Sequence, residues 1–88
     1  MLVSNQLAAC CNIIPGITSI YEWEGKICND SESLLMIKST RAAVPQLTTA
    51  VQTEHSYDEC EVIAVPVVGG SDTYLDWVRQ AVRPAEKE

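Results

Sequence analysis

The sequence predicts an α+β sandwich, in which helices cover one face of an antiparallel sheet. Residues 10–14, 17–27 and 32–39 are predicted strands, because they are apolar or alternate between apolar and polar over strand lengths. Residues 40–54 then switch to a helical period, and a Val/Ile-rich strand, residues 61–67, precedes a last helix. Several strands followed by single helices are typical of this class.

The length of 88 residues allows one domain, which we place at residues 1–83, with residues 84–88 as a polar, flexible tail. Hydrophobic residues make up 47% of the chain and charged residues 20%, which is a globular composition. A domain of this size buries only about 60–65% of the surface that its unfolded chain exposes. We therefore expect oligomerisation to help stabilise it.

The charge balance excludes some partners. Twelve acidic residues against six basic ones give a net charge of −6, and no Lys/Arg cluster interrupts it. Binding to nucleic acid or to an anionic membrane surface needs such a cluster, so neither is expected. No apolar run reaches the 18 residues of a membrane-spanning helix, so no membrane insertion is expected.

Residues 1–9 are typical of the end of a helix. Residues 7–10 (LAAC) resemble a lipoprotein cleavage site, but residues 1–6 carry no positive charge and no long apolar run. Because an export signal needs both, we expect a cytoplasmic protein. The four cysteines are then expected to be reduced thiols rather than disulfides.

The long predicted strand, residues 17–27, has an aromatic face and an acidic face. Ile17, Ser19, Tyr21 and Trp23 share the first face, and Thr18, Ile20, Glu22 and Glu24 share the second. Pro15 and Gly16 predict a turn before it, and Gly25 predicts a bulge within it. Residues 29–31 (NDS) predict the hairpin turn. Residues 34–37 are apolar on both faces, which predicts a covered, central strand.

Each helix has an apolar face. In residues 40–54 this face carries Val44, Leu47 and Val51, with Pro45 in the first turn and the end near residues 55–57. The last helix carries Tyr74, Leu75, Val78 and Val82 on its apolar side. Ser71 or Asp72 is expected to cap it. An anion-binding nest at residues 69–72 is disfavoured, since Asp72 would repel a phosphate.

The candidate metal ligands lie close together in sequence. His55 is the only histidine, and Asp58 and Cys60 follow it within five residues. Imidazole, carboxylate and thiolate together suit a borderline-soft metal ion. The alternative is a histidine that caps the preceding helix beside a solvated acidic loop.

The cysteines predict little other chemistry. Cys10 and Cys11 would point to opposite faces of a strand, so both are interpreted as small buried hydrophobic residues. Cys28 or Cys60 could pair with His55 in a thiol enzyme, but no nucleophile motif accompanies them. We therefore predict no enzymatic activity.

Tyr and Trp supply all of the aromatic side chains, since the chain has no Phe. Tyr21, Trp23 and Trp77 are candidates for an interface, because such side chains join an apolar body to a polar tip. The alternative is ordinary half-buried packing.

Short segments, in order along the chain, together resemble one known family. They are residues 7–10 (LAAC), 12–16 (NIIPG), 18–26 (TSIYEWEGK), 30–32 (DSE), 36–38 (MIK), 44–47 (VPQL), 61–66 (EVIAVP) and 74–78 (YLDWV), with His55 and Tyr57. The match runs from Leu7 to Val82, and residues 19–26 are its most specific part. The sequence therefore resembles CutA, the divalent-cation tolerance protein family.

The resemblance implies a ferredoxin-like βαββαβ sandwich similar to PII-type signalling proteins. It also implies a homotrimer, held by strand pairing between subunits around long hairpins, with Tyr21 and Trp23 in contact there. Family members begin with a strand and most of a helix before the position of Leu7. The expected domain is therefore shortened at its N-terminus and lacks the first strand.

The resemblance also implies a function. The family is associated with divalent-metal tolerance and copper binding, and no catalytic reaction is established for it. His55 and Asp58 match the family's histidine and acidic residue, while Ser56 replaces its usual proline. We therefore expect a non-enzymatic trimer with a signalling role in the response to metal. It needs no cofactor but binds copper or another divalent cation through His55, Asp58 and Cys60. Animal members are linked to membrane anchoring of acetylcholinesterase, so the alternative is an interaction or scaffold module.

Overall fold

The computed structural model describes residues 2–54 and 60–84 and has an α+β architecture. Its elements are β1 (Cys10–Trp23), β2 (Lys26–Lys38), a 3₁₀ turn (Arg41–Ala43), α1 (Val44–Glu54) and α2 (Asp72–Ala81). In the described part the sheet has two strands, β1 and β2, which run antiparallel. This confirms the predicted fold class and both predicted helices.

The hairpin turns at Glu24 and Gly25, because β1 pairs with β2 in register from Cys10–Lys38 as far as Trp23–Lys26. Both turn residues have left-handed φ angles, 52° for Glu24 and 79° for Gly25. A two-residue turn with positive φ at both positions matches the twist of the flanking strands. The turn predicted at residues 29–31 is wrong, since these residues pair within the ladder. Gly25 is a turn residue rather than a bulge.

The predicted turn at Pro15 and Gly16 is instead a bulge within one continuous strand. Ile14 lies opposite Leu34 and Ile17 opposite Glu32, so two residues of β1 occupy the space facing one residue of β2. Gly16 has a φ of 75°, which suits the bulge, and Pro15 has no N–H to lose from the ladder. The hairpin therefore stays unbroken over its whole length.

Residues 2–7 close with the hydrogen bonds of a helix C-terminus. The N–H of Leu7 donates to the carbonyl of Leu2 (2.9 Å), and that of Gln6 donates to the carbonyl of Val3 (3.0 Å). Gln6 has a φ of 62°, and Leu2 packs on the cluster that contains Leu7. These features define a Schellman motif, which confirms the predicted helix end.

Two small clusters make up the buried core of the described residues. Leu7, Ala8 and Leu47 form the first, and Ala43, Val78 and Val82 form the second. Ile37 of β2 packs on the first cluster, so α1 lies against this side of the sheet. Leu34, Leu35 and Met36 remain 45–51% exposed. The prediction that this strand is covered is therefore not met within a single chain.

Helix α1 begins at Val44, four residues later than predicted, because residues 41–43 form the 3₁₀ turn, whereas α2 begins after its predicted cap. Pro45 is the second residue of α1, where its missing N–H costs nothing. Ser71 is the cap of α2, and its hydroxyl accepts from the N–H of Tyr74 at 3.4 Å. Of the predicted apolar side of α2, Val78 and Val82 are buried, whereas Tyr74 is exposed.

The predicted strand at residues 61–67 is not formed. Val62 packs on the first cluster, but the backbone of residues 60–70 makes no hydrogen bond to the backbone of another described residue. A Val/Ile-rich segment becomes a strand only when a neighbouring strand lies alongside. Within the described residues, no helix is long and apolar enough to cross a membrane.

Candidate functional site

One face of the hairpin, here called the aromatic face, gathers polar and aromatic side chains toward the turn. It comprises Ile17, Ser19, Tyr21 and Trp23 of β1 with Lys26, Cys28, Asp30 and Glu32 of β2. The register confirms that the four β1 residues share a face, as their spacing predicts. Tyr21 is 41% and Trp23 51% exposed, so the two rings are available to a partner.

Two hydroxyl–carboxylate hydrogen bonds cross this face between the strands. Ser19 Oγ donates to the Glu32 carboxylate, and the Tyr21 hydroxyl donates to the Asp30 carboxylate. Each bond joins a residue to the diagonal neighbour of its register partner, so both lean the same way. Together these two bonds hold in register the half of the hairpin that lies next to the turn at Glu24 and Gly25.

The hydrogen bond to Asp30 also changes the acidity of Tyr21. It raises the pKa of the phenol from 10.0 to about 12, with smaller contributions from desolvation and nearby acidic groups. The neutral phenol donates a hydrogen bond to the Asp30 carboxylate, whereas a phenolate would lose this bond and would be repelled by the carboxylate. Tyr21 therefore remains a neutral donor throughout the physiological range.

The opposite face of the hairpin carries exposed aliphatic side chains among polar ones such as Thr18 and Glu22. Ile13, Ile20 and Ile27 are 68%, 68% and 73% exposed, and Leu35 is 45% exposed. Within the described residues, the outer edges of β1 and β2 also have no pairing strand. Unpaired edges beside exposed aliphatic side chains favour association by strand addition.

Trp77 lies apart from the hairpin, on the exposed side of α2. Its ring is 5.6 Å from that of Tyr74, in a tilted arrangement, and is 49% exposed. The structure thus brings Tyr21 and Trp23 to one face, with Trp77 on a separate element. An interface role for all three stays a prediction.

The predicted metal ligands fall mostly outside the described residues. His55 and Asp58 lie there, and only Cys60, a half-buried free thiol, is described. Residues 2–54 and 60–84 contain no group of three His, Cys, Asp or Glu side chains able to hold a metal ion. The metal site therefore stays a prediction.

Cys10 and Cys11 are half-buried free thiols rather than fully buried ones. Cys10 lies opposite Lys38 and Cys11 opposite Ile37, which puts the two thiols on opposite faces, as predicted. Lys38 Nζ donates to the side-chain oxygen of Asn12, the nearest residue of β1 on the face of Cys10.

The structural class follows from the antiparallel hairpin combined with helices, which is consistent with the ferredoxin-like fold of PII-like proteins. The solved structure of the PII-like protein CutA from Nostoc sp. PCC 7120 has a TM-score of 0.88 and 28% identity. That match covers 96% of this chain and 82% of the other. The divalent cation tolerance protein (Cut A1) from Thermus thermophilus has a TM-score of 0.91 and 45% identity. Here the coverage is 93% of this chain and 80% of the other.

The family follows from the sequence match. The family model of the CutA1 divalent ion tolerance protein matches residues 1–81, so the chain belongs to this family. Protein CutA, chloroplastic, from Arabidopsis thaliana is 52% identical over 82 residues. The aligned residues are 93% of this chain and 45% of the plant protein. The chain therefore spans about half the length of its first curated relatives. The resemblance drawn from the sequence segments is confirmed.

Proposed function

We propose that this chain is a non-enzymatic protein of divalent-cation tolerance. In this proposal it works as a homotrimer and binds a divalent metal ion, with copper as the preferred candidate. Membership of the CutA1 divalent ion tolerance family supports the biological role. The main support for assembly into a trimer comes from the long hairpin. It presents aliphatic side chains and aromatic rings together, and neither of its outer strand edges is paired within residues 2–54 and 60–84.

Burial of the exposed hairpin side chains supplies the driving force for assembly. Fully burying one isoleucine stabilises a protein by about 1.5–3 kcal/mol, and Ile13, Ile20 and Ile27 are each about two-thirds exposed or more. Strand addition would at the same time satisfy backbone groups that now face water. Three copies around the hairpin would cover both faces, and this would also explain why Leu34–Met36 are apolar although exposed.

The metal role is proposed for His55, Asp58 and Cys60. An imidazole, a carboxylate and a thiolate offer nitrogen, oxygen and sulfur ligands, which suit copper in either oxidation state. The proposed role is in the response to metal, with metal binding coupled to signalling through the assembled trimer.

Sedimentation and calorimetry of the same preparations test both parts. The wild type is expected to sediment as a trimer and to bind copper, whereas His55→Ala and Cys60→Ser weaken copper binding without changing the trimer. Cys28→Ser is the matched control, because it removes a thiol from a different element. Copper binding that His55→Ala and Cys60→Ser leave intact would remove the metal role.

A second candidate function is an interaction or scaffold module of the acetylcholinesterase-anchoring type, without a direct metal role. The exposed rings of Trp77 and Tyr74 on α2 favour it, because they lie on an element apart from the hairpin. It predicts that the trimer is equally stable in a chelator, and that Trp77→Ala weakens partner capture without altering sedimentation.

We place the protein in the cytoplasm. All four cysteines are free thiols, which is typical of a reducing compartment, whereas the Arabidopsis relative is named chloroplastic. Imaging of the protein fused to a fluorescent tag at its C-terminus would test the assignment.

A further inference from the structure

Charged side chains are unevenly distributed along the hairpin. The half next to the turn, residues 19–32 and here called the distal half, carries four carboxylates against one ammonium group: Glu22, Glu24, Asp30 and Glu32 against Lys26. The exposed rings of Tyr21 and Trp23 lie on the aromatic face of the same half. Carboxylates beside aromatic rings suit a guanidinium group, which pairs with the former and stacks on the latter.

Three arginines lie at the opposite, open end of the hairpin and are here called the arginine patch. Arg41, Arg79 and Arg83 are exposed, and each lies within two residues of a member of the second buried cluster. Ala9 packs on that cluster, and its N–H donates to the carbonyl of Lys38, the last residue of β2, at 2.8 Å. The three arginines are distant in sequence, so only the fold groups them.

The arginine patch keeps binding capacity within one chain. Arg79 pairs with Asp76 at 2.7 Å, with both side chains 64% exposed, and Arg83 donates through Nε to the carbonyl of Gln80. Such an exposed pair within one helix contributes little to stability, because water screens it. A guanidinium group has five N–H donors, so each arginine can accommodate a further carboxylate.

The distal half and the arginine patch of one chain are too far apart to attract each other. The 13 residues of β2 separate them by about 40 Å, at about 3.3 Å per residue, whereas physiological salt screens exposed charges beyond about 8 Å. Their charges are complementary, so a second copy of the chain is the partner that fits each surface. Because the two surfaces differ, the contact is heterologous and can close into a ring.

We propose that the distal half of the hairpin docks on the arginine patch of a second copy, so that the copies join head to tail. This inference rests on the homotrimer of the proposed function and adds which two surfaces meet in it. Three such contacts would close the ring and leave each patch and each distal half occupied once.

Reversing the charge of each surface, alone and then together, tests the proposal by sedimentation over a dilution series at fixed ionic strength. We expect Glu22→Lys/Glu24→Lys and Arg41→Glu/Arg83→Glu each to raise the concentration of half-dissociation about tenfold, because like charges then meet. The variant with all four substitutions has opposite charges again and should return to within about threefold of the wild type.

Glu54→Lys/Glu61→Lys is the matched control, because it changes the net charge equally at exposed positions outside both surfaces. Rescue by the fourfold variant separates lost docking from lost folding, and circular dichroism checks the secondary structure of each variant. A trimer that dissociates equally in the reversed variants and the control, or a fourfold variant without rescue, overturns this inference alone. A wild type that forms no trimer overturns the proposed assembly as well.

Discussion

The hydrogen bond between Tyr21 and Asp30 affects both the pairing of the two strands and the acidity of the phenol. The hydrogen bond spans the two strands, and its acceptor is the Asp30 carboxylate. The same bond raises the pKa of Tyr21 to about 12. The pKa of Tyr21 in the folded chain lies above its ordinary value of 10.0. The hydrogen bond therefore stabilises the fold fully below pH 10, and this stabilisation is lost as the pH rises through 12.

Titration of the three tyrosines by ultraviolet absorbance tests this. One phenol is expected to ionise near pH 12, and Tyr21→Phe removes that step. Asp30→Asn lowers the pKa of Tyr21 back toward 10, because a neutral amide replaces the carboxylate. Tyr74→Phe is the control and leaves the late step in place. A late step that survives Tyr21→Phe would contradict the assignment.

At the scale of elements, the hairpin depends on backbone conformation at two glycines. Gly25 and Gly16 both have left-handed φ angles, one in the turn and the other in the bulge. Alanine at position 25 would meet no heavy atom within 4 Å, so any cost comes from the backbone and not from a clash. The turn therefore isolates a purely conformational effect.

Gly25→Ala is expected to lower the free energy of unfolding by about 1 kcal/mol, the cost of a left-handed φ in an L-residue. Gly69→Ala is the matched control, because it too has no neighbour within 4 Å but lacks a left-handed φ. It should be neutral or slightly stabilising. Urea denaturation measures both, and equal effects at the two positions would refute the conformational account.

The elements also show what a sequence pattern can and cannot predict. Alternation correctly assigned the faces of β1, and the helical spacing and serine cap correctly located α2. The turn was misplaced because residues 29–31 have strong turn propensity, yet cross-strand pairing overrode it once Glu24 and Gly25 turned the chain. That error hid the hydrogen bonds of Ser19 and Tyr21 with β2, which two-residue alternation from the correct turn would have revealed.

At the scale of the whole molecule, much of the apolar surface is exposed in the single chain. The buried clusters are small, and large aliphatic side chains remain exposed on the hairpin and in residues 61–68. The strand at residues 61–67 could not be confirmed within one chain, because pairing depends on a neighbour that local sequence does not supply. The same applies to the expected cover over β2.

Ile27→Lys probes assembly without disturbing the single chain. Ile27 is 73% exposed near the turn, so a lysine there costs the monomer little. In an assembly that buries this side chain, its loss weakens association by about 1.5–3 kcal/mol. Sedimentation over a dilution series should show earlier dissociation than for Gln52→Lys, an exposed change on α1. Equal dissociation of the two variants would exclude this face from the interface.

The bulge at residues 15 and 16 has a consequence for how the hairpin can change in length. Before it, even-numbered residues of β1 share the face of Asn12 and Ile14; after it, odd-numbered residues such as Tyr21 and Trp23 occupy that same face. A regular strand would instead have put both rings beside Cys11 and Ile13. One residue can therefore be lost at the bulge without moving either ring to the other side, whereas a loss elsewhere in β1 would exchange the two sides over part of the strand.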